Sequence, residues 1–85
     1  MKTAIIVIST DYMGRKNYTC AWDGDTADVP TAVKMLKHQA RERWAEAMYI
    51  VTQHDVTECY RKRGSKLALN ERQIEDAKNY IKKFS

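Results

Sequence analysis

Lys34, Lys37, His38 and Arg41 recur at three- and four-residue spacings, which place them on one flank of a helix. Arg61, Lys62 and Arg63, with Lys66, form a second cluster around Gly64. Cations grouped in this way hold phosphates or meet an acidic protein face. The competing reading is ordinary: charged runs on helices are commonly solvated faces that touch nothing. A formal charge of +4, from 15 Lys and Arg against 11 Asp and Glu, tilts the balance toward an acidic partner.

The remaining reactive side chains do not assemble into a catalytic pattern. Asp23, Asp25 and Asp28 crowd one segment but lack the spacing and the late bidentate Glu of a calcium loop, so a solvated turn explains them better. His38 and His54 have neither a helical ligand spacing nor a neighbouring cysteine pair, and no metal site is expected. Cys20 and Cys59 stand far apart without a C-x-x-C motif. They read as reduced cysteines, at least one of them packed, although a single bridge between them is possible in an oxidising compartment. No G-x-S-x-G, P-loop or G-x-G-x-x-G occurs. No catalytic residue and no cofactor are therefore assigned. Tyr12, Tyr18, Trp22 and Tyr49 offer faces on which bases could stack, but aromatics on amphipathic elements more often belong to the core.

These observations favour a non-enzymatic interaction protein. It would dock through its basic helix face onto an acidic surface of a larger protein or nucleoprotein and modulate or inhibit it. Accessory inhibitors encoded by viruses and mobile elements offer an analogy, drawn from small size and the missing catalytic constellation. Weakly specific RNA or DNA binding by the same surfaces is the alternative, and a small cysteine-dependent enzyme is a third. The apolar run after Lys2 is too short for a signal peptide, and nothing approaches the length of a membrane span. A soluble, cytoplasmic protein without membrane contact is expected, with a homodimer possible if a sheet face is left uncovered.

The elements that must position these residues begin with Ala4–Ile8, the one run of five consecutive apolar and mostly β-branched positions. Alternation along a strand sends Ala4, Ile6 and Ile8 to one face and Ile5 and Val7 to the other, so both faces require cover. A polar hairpin loop over residues 9–17 leads to a second strand, Tyr18–Trp22, and the segment 23–30 leads to a helix capped by Asp28 or Thr31. That helix runs from Thr31 to about Ala47, with Val33, Leu36, Ala40, Trp44 and Ala47 as its buried stripe. Glu42 and Glu46 fall on the flank opposite the cations. Met48–Thr52 reads as a third strand, with a helix extended to about Gln53 as the alternative.

Asp55 followed by Glu58 suggests a helix start and Gly64 a helix end, so Val56–Arg63 reads as a short helix. The alternation of Val56, Glu58 and Tyr60 also permits a strand. The last helix is the best marked. Asn70 is its N-cap, Gln73 occupies the reciprocal position, Leu69 and Ile74 form a staple, and Ile74, Ala77, Tyr80, Ile81 and Phe84 make the apolar stripe. The whole, residues 1–85, is expected to be a single small α+β domain, roughly ββαβ(α)α. Its antiparallel three-stranded sheet has the order 2-1-3 and packs against the helix after strand two and the C-terminal helix.

Overall fold

The computed structural model describes residues 2–40 and 45–83, and in it the apolar run lies inside a longer strand, β1 (Lys2–Thr10). It is followed by β2 (Lys16–Asp25), a 3-10 turn over Thr26–Asp28, α1 (Val29–Ala40), β3 (Ala45–Val51), β4 (Val56–Arg61) and α2 (Glu71–Lys83). The class is α+β. The strands form one antiparallel sheet in the order β2-β1-β3-β4, so β1 is central and β2 and β4 are edges.

Two-sided burial of β1 follows from its composition. Ala4 and Ile8, with the half-buried Ile6, pack with Ala47, Tyr49, Val51 and Ile81 under α2. Ile5, with Val7, packs on the other face with Ala32, Met48, Leu36 and Trp22 under α1. One helix therefore covers each face, as a strand without a polar side demands. Thr3 is the one buried polar residue among the described residues, and its hydroxyl lies 2.8 Å from that of Thr26, fastening the start of β1 to the 3-10 turn. Gly24 packs under the Trp22 ring, where an added Cβ would lie 2.8 Å from the indole.

The sheet has four strands, not the three expected. Val56–Arg61 is β4, not a helix, because β3 presents a second free edge that a further strand can satisfy with backbone hydrogen bonds. The Asp55 signal belongs to a tight turn: Thr52 Oγ1 accepts from His54 N at 3.2 Å and from Asp55 N at 2.9 Å, and Thr52 N donates to Asp55 O at 2.9 Å. Gly64 does adopt a left-handed conformation (φ +85°), but in the loop after β4 instead of a helix end.

The expected helix to Ala47 is also corrected. The described helix ends at Ala40, and Ala45–Val51 is strand, with Ala47 paired to Ile8 on one side and to Arg61 on the other. Alanine fits either period, and here pairing with both β1 and β4 holds Ala47 in a strand. The helix starts at Val29, directly after the proposed cap Asp28 and two residues before Thr31, and Asp25 caps the preceding 3-10 turn by accepting from Ala27 N at 3.2 Å. The last helix begins as expected. Gln73 N donates to Asn70 Oδ1 at 2.8 Å and Asn70 N to Gln73 Oε1 at 2.9 Å, a reciprocal capping box. Trp44 and Phe84, assigned to apolar stripes, lie outside the described residues.

Candidate functional site

Helix α1 turns Ala32, Val33 and Leu36 toward the sheet, so the helical period carries Lys34, Met35, Lys37 and His38 outward. Thr31, Lys34, Met35, Lys37, His38 and Gln39 line an open depression of about 610 Å³. Met35 is 52% exposed, an apolar side chain set among cations. Lys34 and Lys37 sit three residues apart and repel each other mildly, a cost that an acidic partner would relieve. Lys37 and His38 occupy the last turn, where the helix dipole favours positive charge, so their presence there is also locally stabilising. Arg41, the fourth member of this flank, lies outside the described residues, as does Glu42. Glu46 is not on the helix at all but on β3, where its carboxylate accepts from the Thr10 hydroxyl at 3.2 Å.

The second basic cluster divides in two. Arg61 lies beside Ala47 on the face covered by α2, and its guanidinium is fully engaged. Nη1 donates to the carbonyls of Ser65 at 3.1 Å and Leu67 at 2.8 Å. Nη2 donates to Tyr49 Oη at 3.0 Å and to Glu58, and Nε reaches Glu58 Oε1 at 2.8 Å. These bonds hold the Glu58 carboxyl below and the Arg61 guanidinium above their ordinary ranges, each chiefly through the hydrogen bond to the other. Arg61 thus clips the connection to α2 onto the sheet. Lys62, Arg63 and Lys66 are the exposed cations of this cluster.

Tertiary structure brings the two basic groups to one end of the sheet. Helix α1 crosses from the end of β2 to the start of β3, and Ala47 pairs with Arg61, so the last turn of α1 and the Lys62–Arg63 turn share that end. Lys37 is close enough to Cys59 on β4 to act on its thiol electrostatically. The β1–β2 hairpin reaches the same end, because Thr10 pairs with Lys16. Its tip carries Tyr12, 81% exposed, and Met13, 63% exposed. Asp11 shapes the tip by accepting from Met13 N and Arg15 N, both at 2.9 Å, with Gly14 in the left-handed conformation (φ +79°) that the turn requires. The carboxylates Asp23 and Asp25 stand at the other end of β2.

Of the four aromatics named as stacking candidates, Trp22 and Tyr49 are packed in the core and Tyr12 and Tyr18 are exposed. The two cysteines lie on opposite edges of the sheet and on opposite faces: Cys20 pairs with Ile6 on the α2 side, and Cys59 packs with the α1 cluster. Both are free thiols, and this placement separates them too far for a bridge between them. Desolvation, aided at Cys20 by the Asp23 carboxylate, pushes both above the ordinary thiol range, the direction opposite to nucleophile activation. Among the described residues no group of three or more His, Cys, Asp and Glu could hold a metal ion, and no helix is long and apolar enough to cross a membrane.

The role of Arg61 was not visible in the sequence, where it reads as one of three consecutive cations. Only the antiparallel register that sets Glu58 opposite Tyr49 distinguishes it from its neighbours. Comparison with protein-family models, curated proteins and solved structures finds no match to this chain.

Proposed function

We propose that the protein is a non-enzymatic, cytoplasmic interaction module. It docks through the outer face of α1 and the adjoining Lys62–Arg63 turn onto an acidic surface of a larger protein or nucleoprotein, and modulates that partner by occlusion. The observation that carries this reading is the convergence, at one end of the sheet, of exposed cations from two segments distant in sequence, with Met35 exposed between Lys34 and Lys37. An apolar side chain inside a ring of cations suits a protein surface, since specific protein interfaces combine a packed centre with a charged rim.

The test is capture of partners from native-host extract by the wild-type protein and by a Lys34→Glu/Lys37→Glu variant with an unchanged circular dichroism spectrum. Loss of the captured partner in the variant supports the assignment. Equal capture by both would remove α1 from the interface.

A second reading, direct nucleic-acid binding, is favoured by the exposure of Tyr12 at the same end of the sheet, where it would offer a stacking face beside the cations. The two readings differ in salt response. Neutralising about four phosphates makes affinity fall roughly 100-fold between about 50 and 200 mM salt, whereas an interface with a packed apolar centre declines less.

A further inference from the structure

The geometry points to a homodimer formed by antiparallel pairing of two β2 edges into one continuous eight-stranded sheet. Strand β2 is ten residues long, lies at the sheet edge, and is exposed from Lys16 through Ala21. Its middle, Asn17–Trp22, carries no charge, and an edge of this length without a guarding charge is a template for strand pairing. The charges stand only at its ends, with Lys16 at one and Asp23 and Asp25 at the other. Two copies running antiparallel therefore set the Lys16 of each against the acidic end of the other, twice by symmetry.

The bulge in β2 makes this register possible. Residues directly opposite each other in an antiparallel pair must point to the same face, and positions 16 and 25, an odd number of residues apart, point to opposite faces in a regular strand. Here Ile5 pairs with Trp22 and Ile6 with Cys20, so Ala21 is the extra residue. In consequence Lys16, Tyr18, Cys20, Asp23 and Asp25, opposite Thr10, Ile8, Ile6, Ala4 and Lys2, all share the α2 face.

Pairing Lys16 with Asp25 of the second copy then sets Asn17 against Gly24, Tyr18 against Asp23 and Thr19 against Trp22, each pair matched in face. The two-fold axis passes between Cys20 and Ala21, where the bulge interrupts the ladder. Asp23 already neighbours Lys2 at 3.9 Å, and Asp25 keeps a second carboxylate oxygen beside the one that accepts from Ala27 N. Because the axis is normal to the sheet, both α1 helices lie on one side of the dimer.

Sedimentation equilibrium up to about 1 mM, a range suited to an interface smaller than the standard size, should show a reversible dimer. Lys16→Glu and Asp25→Lys should each weaken it about tenfold, since each reversal acts at two symmetric exposed pairs. The Lys16→Glu/Asp25→Lys swap should restore it, and mixing the two single variants should yield a heterodimer. Because Asp25→Lys also removes the cap on the 3-10 turn, cross-linking provides a separate readout. A short bis-maleimide should couple Cys20 to Cys20 of the second copy in a Cys59→Ala chain, and should give no dimer in a Cys20→Ala chain. A monomer at all concentrations, or a dimer that neither cross-links through Cys20 nor responds to the swap, overturns the proposal.

Discussion

Truncation of three isoleucines on the same strand should give unequal losses, because the two helices do not cover β1 evenly. Ile5 and Ile8 are both 0% exposed, one under α1 and the other under α2, whereas Ile6 is only partly buried. The reason lies in the α2 side of the sheet, where an open groove of about 280 Å³ between β2 and α2 is lined by Ile6, Cys20, Leu69 and Tyr80 among others.

An Ile→Ala change removes about three buried carbons at roughly 0.8 kcal/mol each and leaves a cavity whose cost adds to this, so Ile5→Ala and Ile8→Ala should each cost about 3–4 kcal/mol. At Ile6 solvent already reaches the side chain and the groove can relax, so about 1–2 kcal/mol is expected, below the usual range for a fully buried isoleucine. Urea unfolding followed by far-ultraviolet circular dichroism, with unchanged m values, measures all three. A loss at Ile6 equal to the other two would mean that the groove is closed in solution. A loss below about 1 kcal/mol at Ile5 or Ile8 would mean that one helix does not pack as described.

Asn70→Ala should cost about 0.5–2 kcal/mol, because both bonds of the capping box depend on that side chain or its position; a neutral melting curve would place the start of α2 elsewhere. Gly24→Ala should destabilise by about 1–3 kcal/mol, since the new Cβ meets the Trp22 ring, and the change should be visible in tryptophan fluorescence; unaltered stability would mean the ring moves aside freely. Stability should fall as pH drops below about 4.3, the ordinary glutamate value, because Glu46 and Glu58 are held below it in the fold, chiefly by hydrogen bonds from Ser65 and Arg61 respectively. The unfolded chain binds protons first in that window, so the native contribution is complete above it and is lost on acidification. Glu58→Gln should flatten the acid limb of a pH–stability curve, and an unchanged limb would show that the Arg61 contact is not maintained in solution.

The sequence alone determined those features whose cause is local or whose composition leaves one solution. Ala4–Ile8 is short, mostly β-branched and has no polar side, so it reads as a strand covered on both faces. Asn70 and Gln73 satisfy each other's backbone N–H groups within one turn and need no distant partner. The outward flank of α1 follows from the helical period, which carries Lys34, Lys37 and His38 away from Ala32 and Leu36 wherever the helix docks.

What tertiary structure decided were the segments whose local signals were balanced. Ala45–Ala47 suits helix or strand by propensity, and ladder pairing with β1 on one side and β4 on the other made it strand. Val56–Arg61 carries a helix-start signal as well as strand alternation, and the unsatisfied edge of β3 decided between them. The same register divided one run of cations into Arg61, engaged by Glu58, Tyr49 and two carbonyls, and Lys62 and Arg63, exposed at the end of the sheet where α1 finishes. A basic run in sequence records charge but not direction, and direction is set only when a neighbouring strand fixes which face each residue occupies.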